Sequence, residues 1–204
     1  MTDAPESDTS DSDGPYIDDI GSDELTGAGR LSPTPEQHEQ LKNRLHAVDR
    51  FDEIRYADRR YLVIGRGGEN GPGARRQLVC DLLDDRTGAA VFRLEDFGFT
   101  SDDVSLWAPA FDILSAMASH IIGILEDFDG GHVWELGFLY YQQTHLRDIL
   151  WLLKRIYESA DVMRDRYDNG MAASHLAALE DAAADRVITW ETPDDLPQAV
   201  SAVP

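Results

Sequence analysis

Short apolar segments alternate with amphipathic ones over most of the chain, and this alternation predicts the fold. Short apolar runs predict strands over residues 61–64, 89–94, 120–125, 149–153 and 187–190. Apolar residues at helical spacing predict helices over 74–84, 106–119, 133–143, 155–167 and 171–184, and Thr192-Pro-Asp-Asp is expected to cap a last one. Strands that alternate with helices are typical of a parallel sheet covered on both faces. We therefore expect an α/β fold, a flavodoxin-like or Rossmann-like three-layer sandwich with a parallel five-stranded sheet.

The first part of the chain lacks this pattern. Residues 1–34 contain nine acids and one base, Arg30, among many Ser, Thr, Gly and Pro residues. Such a segment buries too little apolar surface to offset its ordering entropy, which predicts a disordered acidic tail. Thr34-Pro35 then has the form of a helix N-cap followed by proline. The predicted organisation is a tail (1–34), a lead-in of one helix (35–58) and an α/β domain (59–204).

Charge narrows the range of partners. The net charge is −21, from 39 acids and 18 bases, and only Lys42 and Lys154 are lysines. Self-repulsion on this scale is tolerable where salt shortens the Debye length to about 3 Å, near 1 M. We infer a halophilic protein, although a merely acidic one would have the same composition. No basic stripe is present, so a nucleic acid polymer is not expected as a partner, whereas a small nucleotide-like ligand is compatible with the sequence.

The apolar residues indicate a cytoplasmic protein with an ordinary core. They make up 42% of the chain, no apolar run approaches 18 residues, and the N-terminus has no signal-peptide pattern. We expect no contact with a membrane. Cys80 is the only cysteine and occupies an apolar helical position, which favours a core thiol over a nucleophile.

An acidic Gly-Gly turn between a predicted strand and helix is the main candidate for chemistry. The turn runs from Asp129 through Gly130 and Gly131, and Glu135 follows in the first turn of the helix. Glycines allow a ligand to approach the backbone, and the helix start presents unpaired N–H groups. Open α/β sheets bind their ligands at the carboxyl ends of the strands. The alternative is that Glu135 only stabilises the helix dipole.

A glycine-rich loop, Gly65-Arg-Gly-Gly-Glu-Asn-Gly-Pro-Gly73, is the second candidate. It follows a predicted strand and precedes a helix, which is the usual setting for phosphate or sugar binding. It is not a dinucleotide fingerprint, because Asn70 stands at the third glycine position, and it lacks the Lys-Ser/Thr of a P-loop. Candidates to neutralise an anionic ligand are Arg66, Arg75 and Arg76. The alternative is that the loop is only a flexible connection. The histidines have no metal-ligand spacing, so neither a metal nor a cofactor is expected.

Four segments together resemble the nucleoside 2-deoxyribosyltransferases and the related deoxynucleoside 5′-monophosphate N-hydrolases. They are Tyr61-Leu-Val-Ile-Gly65, Phe111-Asp112-Ile-Leu-Ser-Ala-Met-Ala-Ser119, Asp129-Gly-Gly-His-Val-Trp-Glu135-Leu-Gly137 and Asn169-Gly-Met171. The resemblance extends from residue 60 to about residue 200. Arg66-Gly67-Gly68 is similar to the Arg-Gly-Gly of the hydrolases but lacks their adjoining serine.

This resemblance implies a mechanism for cleavage or transfer at the N-glycosidic bond. Glu135 would attack C1′ and form a covalent glycosyl-enzyme, with Tyr61 orienting it and Asp112 protonating the departing base. Asp129 and Asn169 of a neighbouring subunit would hold the 5′-hydroxyl, so a homo-oligomer is expected. Gly65, Arg66, Gly67, Gly130 and Gly131 would line the substrate site for a nucleoside or nucleotide. Two alternatives remain open: a non-catalytic nucleotide-binding or sensor module of the same fold, and a TIR-like NAD glycohydrolase.

Overall fold

A computed structural model of the protein describes residues 34–47, 50–141, 148–168 and 170–204. It contains a five-stranded sheet in which all neighbouring strands are parallel, in the order β2-β1-β3-β4-β5. The strands are β1 (Arg59–Gly65), β2 (Ala89–Phe92), β3 (His120–Leu125), β4 (Leu150–Arg155) and β5 (Val187–Trp190). The expected fold class, a flavodoxin-like or Rossmann-like three-layer sandwich, is confirmed.

The described α-helices follow the predicted alternation. They are α1 (Pro35–His46), α2 (Arg50–Tyr56), α3 (Pro72–Asp84), α4 (Val104–Met117), α5 (His132–Tyr141), α6 (Ala160–Tyr167), α7 (Gly170–Ala183) and α8 (Leu196–Ser201). A short 3₁₀ helix, Leu94–Phe97, follows β2.

Apolar side chains cover both faces of the sheet. On the first face, Leu62 and Ile64 of β1 pack in one cluster with buried residues of α1, α2, α4, α5 and α7. On the second face, Tyr61 and Val63 pack with buried residues of α3 and α8. Cys80 of α3 belongs to this second cluster, and its burial raises the pKa of its thiol to about 12. The prediction that it is a core thiol is confirmed.

The helices that follow β1 and β3 pack on opposite faces. Although β1 and β3 are neighbours in the sheet, α3 lies on the second face and α5 on the first. The loops at their carboxyl ends therefore separate, and a crevice opens between them. In open α/β sheets this is the position where ligands bind.

The helical lead-in, expected as one helix, consists of the two helices α1 and α2, and both contribute to the first-face core. Thr34 caps α1 in a reciprocal capping box with Gln37, as expected for a helix that begins at Pro35. Leu41 and Leu45 of α1 and Ile54 of α2 are fully buried. The predicted tail falls almost wholly on residues 1–33, which lie outside the described residues. Among the described helices, none is long and apolar enough to span a membrane.

Candidate functional site

Four arginines converge on one crevice at the carboxyl ends of β1, β3 and β4. Its volume is about 460 Å³, and its charged walls come from Arg66, Arg75, Arg155, Arg166, Glu69, Glu126 and Asp127. We call it the arginine crevice. Four guanidinium groups face three carboxylates here, in a chain of net charge −21. The crevice therefore has an excess of one positive group (four minus three) in a strongly acidic chain.

Glu126, the first residue after β3, organises two of these arginines. Its side chain is only 4% exposed. Arg75 donates from Nε to Oε1 at 2.8 Å and from Nη2 to Oε2 at 2.5 Å, and Arg155 donates from Nη1 to Oε2 at 3.0 Å. The hydrogen bond that Arg75 donates to Glu126 is the main cause of its raised pKa. The Tyr157 hydroxyl donates to the Glu126 backbone oxygen at 2.7 Å, which fixes the turn.

Asp127 forms a hydrogen bond with Arg66 and a looser ion pair with Arg166. Arg66 Nη1 lies 3.1 Å from the Asp127 Oδ2 atom, and Arg166 Nη1 lies 3.8 Å from it. The second carboxylate oxygen accepts a hydrogen bond from the backbone N–H of Asp129 at 3.0 Å. Arg66 also reaches the exposed Asp129, with Nη2 at 2.8 Å from Oδ2. Arg66 thereby links the loop after β1 to the loop after β3.

The glycine-rich loop folds back on the start of α3. A Cβ atom on Gly73 would lie 1.9 Å from the backbone oxygen of Gly68, so only glycine fits there. Gly68 and Gly71 have positive φ angles of 109° and 57°, which other residues rarely adopt. Gly67 and Gly68 line the arginine crevice, whereas Gly65 packs closely against Arg76 and Ile124. The loop is a tight structure that brings backbone to the crevice.

Glu135 lies in the first turn of α5 in a desolvated position. Burial is the largest cause of a pKa raised to about 7; the charge of Glu95 raises it further and Arg76 lowers it. Its side chain forms no hydrogen bond or ion pair within the described part of the chain. A carboxyl group with a pKa near neutrality suits general acid or base chemistry. Glu135 does not line the arginine crevice.

Arg76 lies close enough to Glu135 for its charge to lower the pKa of that carboxyl group. It is 5% exposed, donates from Nη1 to the Gly65 backbone oxygen at 3.1 Å, and forms an ion pair with Glu95. Of the three arginines proposed to meet an anionic ligand, Arg66 and Arg75 face the crevice, and Arg76 instead supports the end of β1.

The expected contact between Tyr61 and Glu135 does not form, which corrects the sequence-based prediction. Tyr61 packs on the second face of the sheet, whereas α5 lies on the first. The Tyr61 hydroxyl donates to the backbone oxygen of Pro204 and accepts from Arg86 Nη1 at 3.1 Å. Tyr61 therefore supports the packing of α8 and has no path to Glu135.

The remaining predicted residues that the structure describes differ in their surroundings. Asp112 is half-buried on α4, and it is not among the charges that shift the pKa of Glu135. Asp129 is 76% exposed and paired with Arg66. Gly130, with a φ of 127°, and Gly131 form the turn before α5 as expected. Asn169 lies outside the described residues.

His132, at the start of α5, has one unpaired nitrogen. Nε2 donates to the backbone oxygen of Asp127 at 2.9 Å, which leaves the Nδ1 lone pair without a partner in the described structure. Burial lowers the pKa of the imidazole, so it is neutral at neutral pH. A Cβ atom on Gly130 would lie 3.4 Å from Nδ1 and 3.8 Å from Arg66 Cγ. Within the described part of the chain, Nδ1 is therefore a buried, unpaired acceptor that lies close to the backbone of Gly130.

Five residues of the crevice were not predicted from the sequence: Glu126, Asp127, Arg155, Tyr157 and Arg166. One signal was present, because Glu126 and Asp127 follow predicted strand 120–125 directly, and Arg155 follows the apolar run 149–153 closely. Charged residues at the carboxyl ends of adjacent parallel strands must lie at one edge of the sheet. Tyr157 and Arg166 gave no such signal. Among the described residues, no group of three or more His, Cys, Asp or Glu side chains could hold a metal ion.

Comparisons with known proteins add little to this geometry. No protein-family model and no curated protein sequence matches the chain. One similar solved structure is a conserved protein from Enterococcus faecalis V583, with 11% sequence identity and a TM-score of 0.46. The match covers 71% of this chain and 98% of that one.

Proposed function

We propose that the protein binds a phosphorylated, nucleotide-type small molecule in the arginine crevice. The observation that carries this proposal is the convergence of four arginines at the carboxyl ends of β1, β3 and β4 in a strongly acidic protein. Guanidinium groups match phosphate oxygens in charge and in geometry. The nucleoside part comes from the resemblance of residues 60–200 to nucleoside-processing enzymes.

The buried carboxylates prepare the crevice for such a ligand. Glu126 holds Arg75 and Arg155, and Asp127 holds Arg66, so these three guanidinium groups are oriented before a ligand arrives, and less side-chain entropy is lost on binding. Each arginine has five N–H donors, and one shared carboxylate uses only some of them. The remaining donors are available to a phosphate group.

Titration calorimetry in about 1 M salt tests this proposal. We expect deoxyadenosine monophosphate to bind at least about tenfold more tightly than deoxyadenosine. Arg155→Gln should reduce the affinity for the monophosphate by about tenfold or more. Arg164→Gln is the matched control, because this exposed arginine of α6 pairs with Asp161 away from the crevice. Equal binding of nucleoside and nucleotide, or no binding of either, would contradict the proposal.

A second candidate function is cleavage or transfer at the N-glycosidic bond, and the position of the half-buried Glu135 in the first turn of α5, directly after the Gly130-Gly131 turn, favours it. In this reaction a Glu135 oxygen bonds to C1′ of the 2-deoxyribosyl group as the C1′–N bond breaks, and the departing base takes a proton. Water or a second base then displaces Glu135. We keep Asp112 as the proposed proton donor. The 5′-hydroxyl would be bound by Asp129 and by Asn169 of a neighbouring subunit. Tyr61 has no part in it.

Product analysis distinguishes the candidates. The protein is incubated in high salt with deoxyinosine and free adenine, and in parallel with the corresponding monophosphates. If the wild type forms deoxyadenosine or free deoxyribose and the Glu135→Gln variant forms neither, the enzymatic function is supported. Tight binding without any release of base would support the non-catalytic module. A separate incubation contains NAD. Release of nicotinamide there, with deoxynucleosides untouched, would instead support a TIR-like glycohydrolase.

A further inference from the structure

The two carboxylates that follow β3 divide the arginines of the crevice into two pairs. Glu126 accepts hydrogen bonds from Arg75 and Arg155, and we call these three residues the first subsite. Glu126 and Asp127 are each only 4% exposed, so both are buried charges at fixed positions. Because the two residues are consecutive in the chain, their Cα atoms lie about 3.8 Å apart. The two arginine pairs are therefore neighbours in one crevice.

The second subsite consists of Asp127, Arg66 and Arg166. Arg66 donates a hydrogen bond to Asp127 at 3.1 Å, whereas Arg166 reaches the same carboxylate only as an ion pair at 3.8 Å. Within the described part of the chain, the side chain of Arg166 donates no hydrogen bond, so its N–H donors are available to a ligand. The Tyr157 ring connects the subsites, because its centre lies 5.8 Å from the guanidinium carbon of Arg166 and 4.7 Å from that of Arg155.

Each subsite has two guanidinium groups and one buried carboxylate, so each retains one positive charge. The third carboxylate of the crevice, Glu69, is exposed, and it forms neither a hydrogen bond nor an ion pair with the residues that the structure describes. Water and salt therefore screen Glu69 more strongly than the two buried carboxylates. Arg66 also pairs with the exposed Asp129, so the positive excess is smaller at the second subsite. The first subsite is therefore the stronger site for a phosphate group.

Two adjacent subsites with one positive charge each match a pyrophosphate diester. In such a group two neighbouring phosphorus atoms each carry one ester and one negative charge, whereas a phosphate monoester carries both of its charges on one phosphorus at neutral pH. Guanidinium groups bind phosphate oxygens through paired N–H donors. A monoester in the first subsite leaves Arg166 without a hydrogen-bonded partner among the described residues, whereas a second phosphoryl group supplies one.

We propose that the ligand is a nucleotide with a pyrophosphate diester, in which the first subsite binds one phosphoryl group and the second subsite binds the other. This inference rests on the proposed function and deepens it, because it names the phosphate chemistry that the arginine crevice recognises. Arg166 is then the residue that distinguishes this ligand from a nucleoside monophosphate.

Titration calorimetry in about 1 M salt with AMP, ADP and ADP-ribose tests the inference. We expect ADP-ribose, which contains a pyrophosphate diester, to bind at least about tenfold more tightly than AMP. Arg166→Gln should remove most of this gain and leave the affinity for AMP within about twofold of the wild type, because AMP occupies the first subsite. Arg164→Gln is the matched control and should keep the gain, because it removes the same charge from the same helix at a residue that pairs with Asp161 outside the crevice. ADP, whose terminal phosphoryl group carries a second charge, should bind no more tightly than ADP-ribose.

The possible results separate the inference from the proposed function. If AMP binds and ADP-ribose binds no more tightly, or if Arg164→Gln loses the gain as fully as Arg166→Gln, the second subsite is wrong and the phosphate site stands. An Arg166→Gln variant that loses AMP binding as well would show that the two subsites are not separate, which also overturns the inference. Tighter binding of ADP than of ADP-ribose would show that the crevice selects a terminal diphosphate and not a diester. If AMP, ADP and ADP-ribose all fail to bind, the proposed function fails together with the inference.

Discussion

At the scale of single residues, the raised pKa of Glu135 leads us to expect a stability that depends on pH. Its folded pKa of about 7 lies above the ordinary value of 4.5. Below pH 4.5 the group is protonated in both states, and between pH 4.5 and 7 only the unfolded chain ionises. Stability that is present at low pH is therefore lost as the pH rises through 7, by at most about 3 kcal/mol.

Glu135→Gln should remove this loss. We expect the variant to match the wild type near pH 4 and to be more stable by about 1–3 kcal/mol near pH 8, measured by urea unfolding at constant salt. Glu158→Gln, at an exposed position, is the control and should follow the wild type at every pH. Parallel stability curves for wild type and Glu135→Gln would show that the carboxyl group is solvated.

Because Glu126 forms buried ion pairs, we expect removal of its charge to lower the stability of the protein. Glu126→Gln removes the charge that holds Arg75 and Arg155, and it leaves two guanidinium groups partly buried without compensation. We expect the free energy of unfolding to fall by about 2 kcal/mol. Glu69→Gln, on an exposed part of the same crevice, should change it by less than about 0.5 kcal/mol. Equal effects of the two substitutions would contradict the buried network.

At the scale of elements, we expect Gly73→Ala to destabilise the protein, although alanine usually stabilises a helix relative to glycine. Replacing a helical glycine by alanine usually stabilises a helix by about 1 kcal/mol. In Gly73→Ala the new Cβ atom would meet the Gly68 backbone oxygen, so the glycine-rich loop must open, and we expect a loss of about 2 kcal/mol or more in urea unfolding together with weaker nucleotide binding. Gly131→Ala, where a Cβ atom meets nothing, should be nearly neutral. A stabilised Gly73→Ala variant would mean that the loop does not fold back on α3.

The elements were largely predictable because their periodicity is local. β3 and β5 have the predicted bounds, and α3 and α7 differ from the predicted helices by at most two residues at either end. β4 extends to Arg155, because Lys154 and Arg155 point their charges to Glu180 and Glu126 at the edge of the sheet. Consequently α6 begins only at Ala160, where Ser159 caps it, and not at residue 155.

The candidate site was less predictable because it depends on which face of the sheet each side chain takes. Both faces of a parallel sheet are apolar, so the sequence alone does not say that Tyr61 and α5 lie on opposite sides. The pairing of Glu126 with Arg75 and Arg155 joins residues up to 51 positions apart. Such a pairing depends on the order of strands, which periodicity does not contain.

At the scale of the whole molecule, the charge of −21 predicts that salt stabilises the fold. Repulsion among exposed carboxylates is screened as the Debye length falls from about 10 Å at 0.1 M to about 3 Å at 1 M. We expect the free energy of unfolding in urea to rise by about 2 kcal/mol or more between these two concentrations of KCl. Sucrose of equal osmolality is the control for excluded-volume effects. A stability that is the same at both salt concentrations would show that the acidic surface is not an adaptation to salt.

Arg155 lies next to Trp190, so the fluorescence of this tryptophan can report binding in the crevice. Its guanidinium carbon lies 5.3 Å from the ring centre of Trp190, while another part of the same group holds Glu126. The indole is buried and donates to the Leu153 backbone oxygen at 3.1 Å, so it cannot turn away when Arg155 shifts toward a ligand. Occupancy of the crevice should therefore change the emission of Trp190. Titration of an unlabelled protein in a fluorimeter would then follow binding directly, and Trp190→Phe would remove the signal.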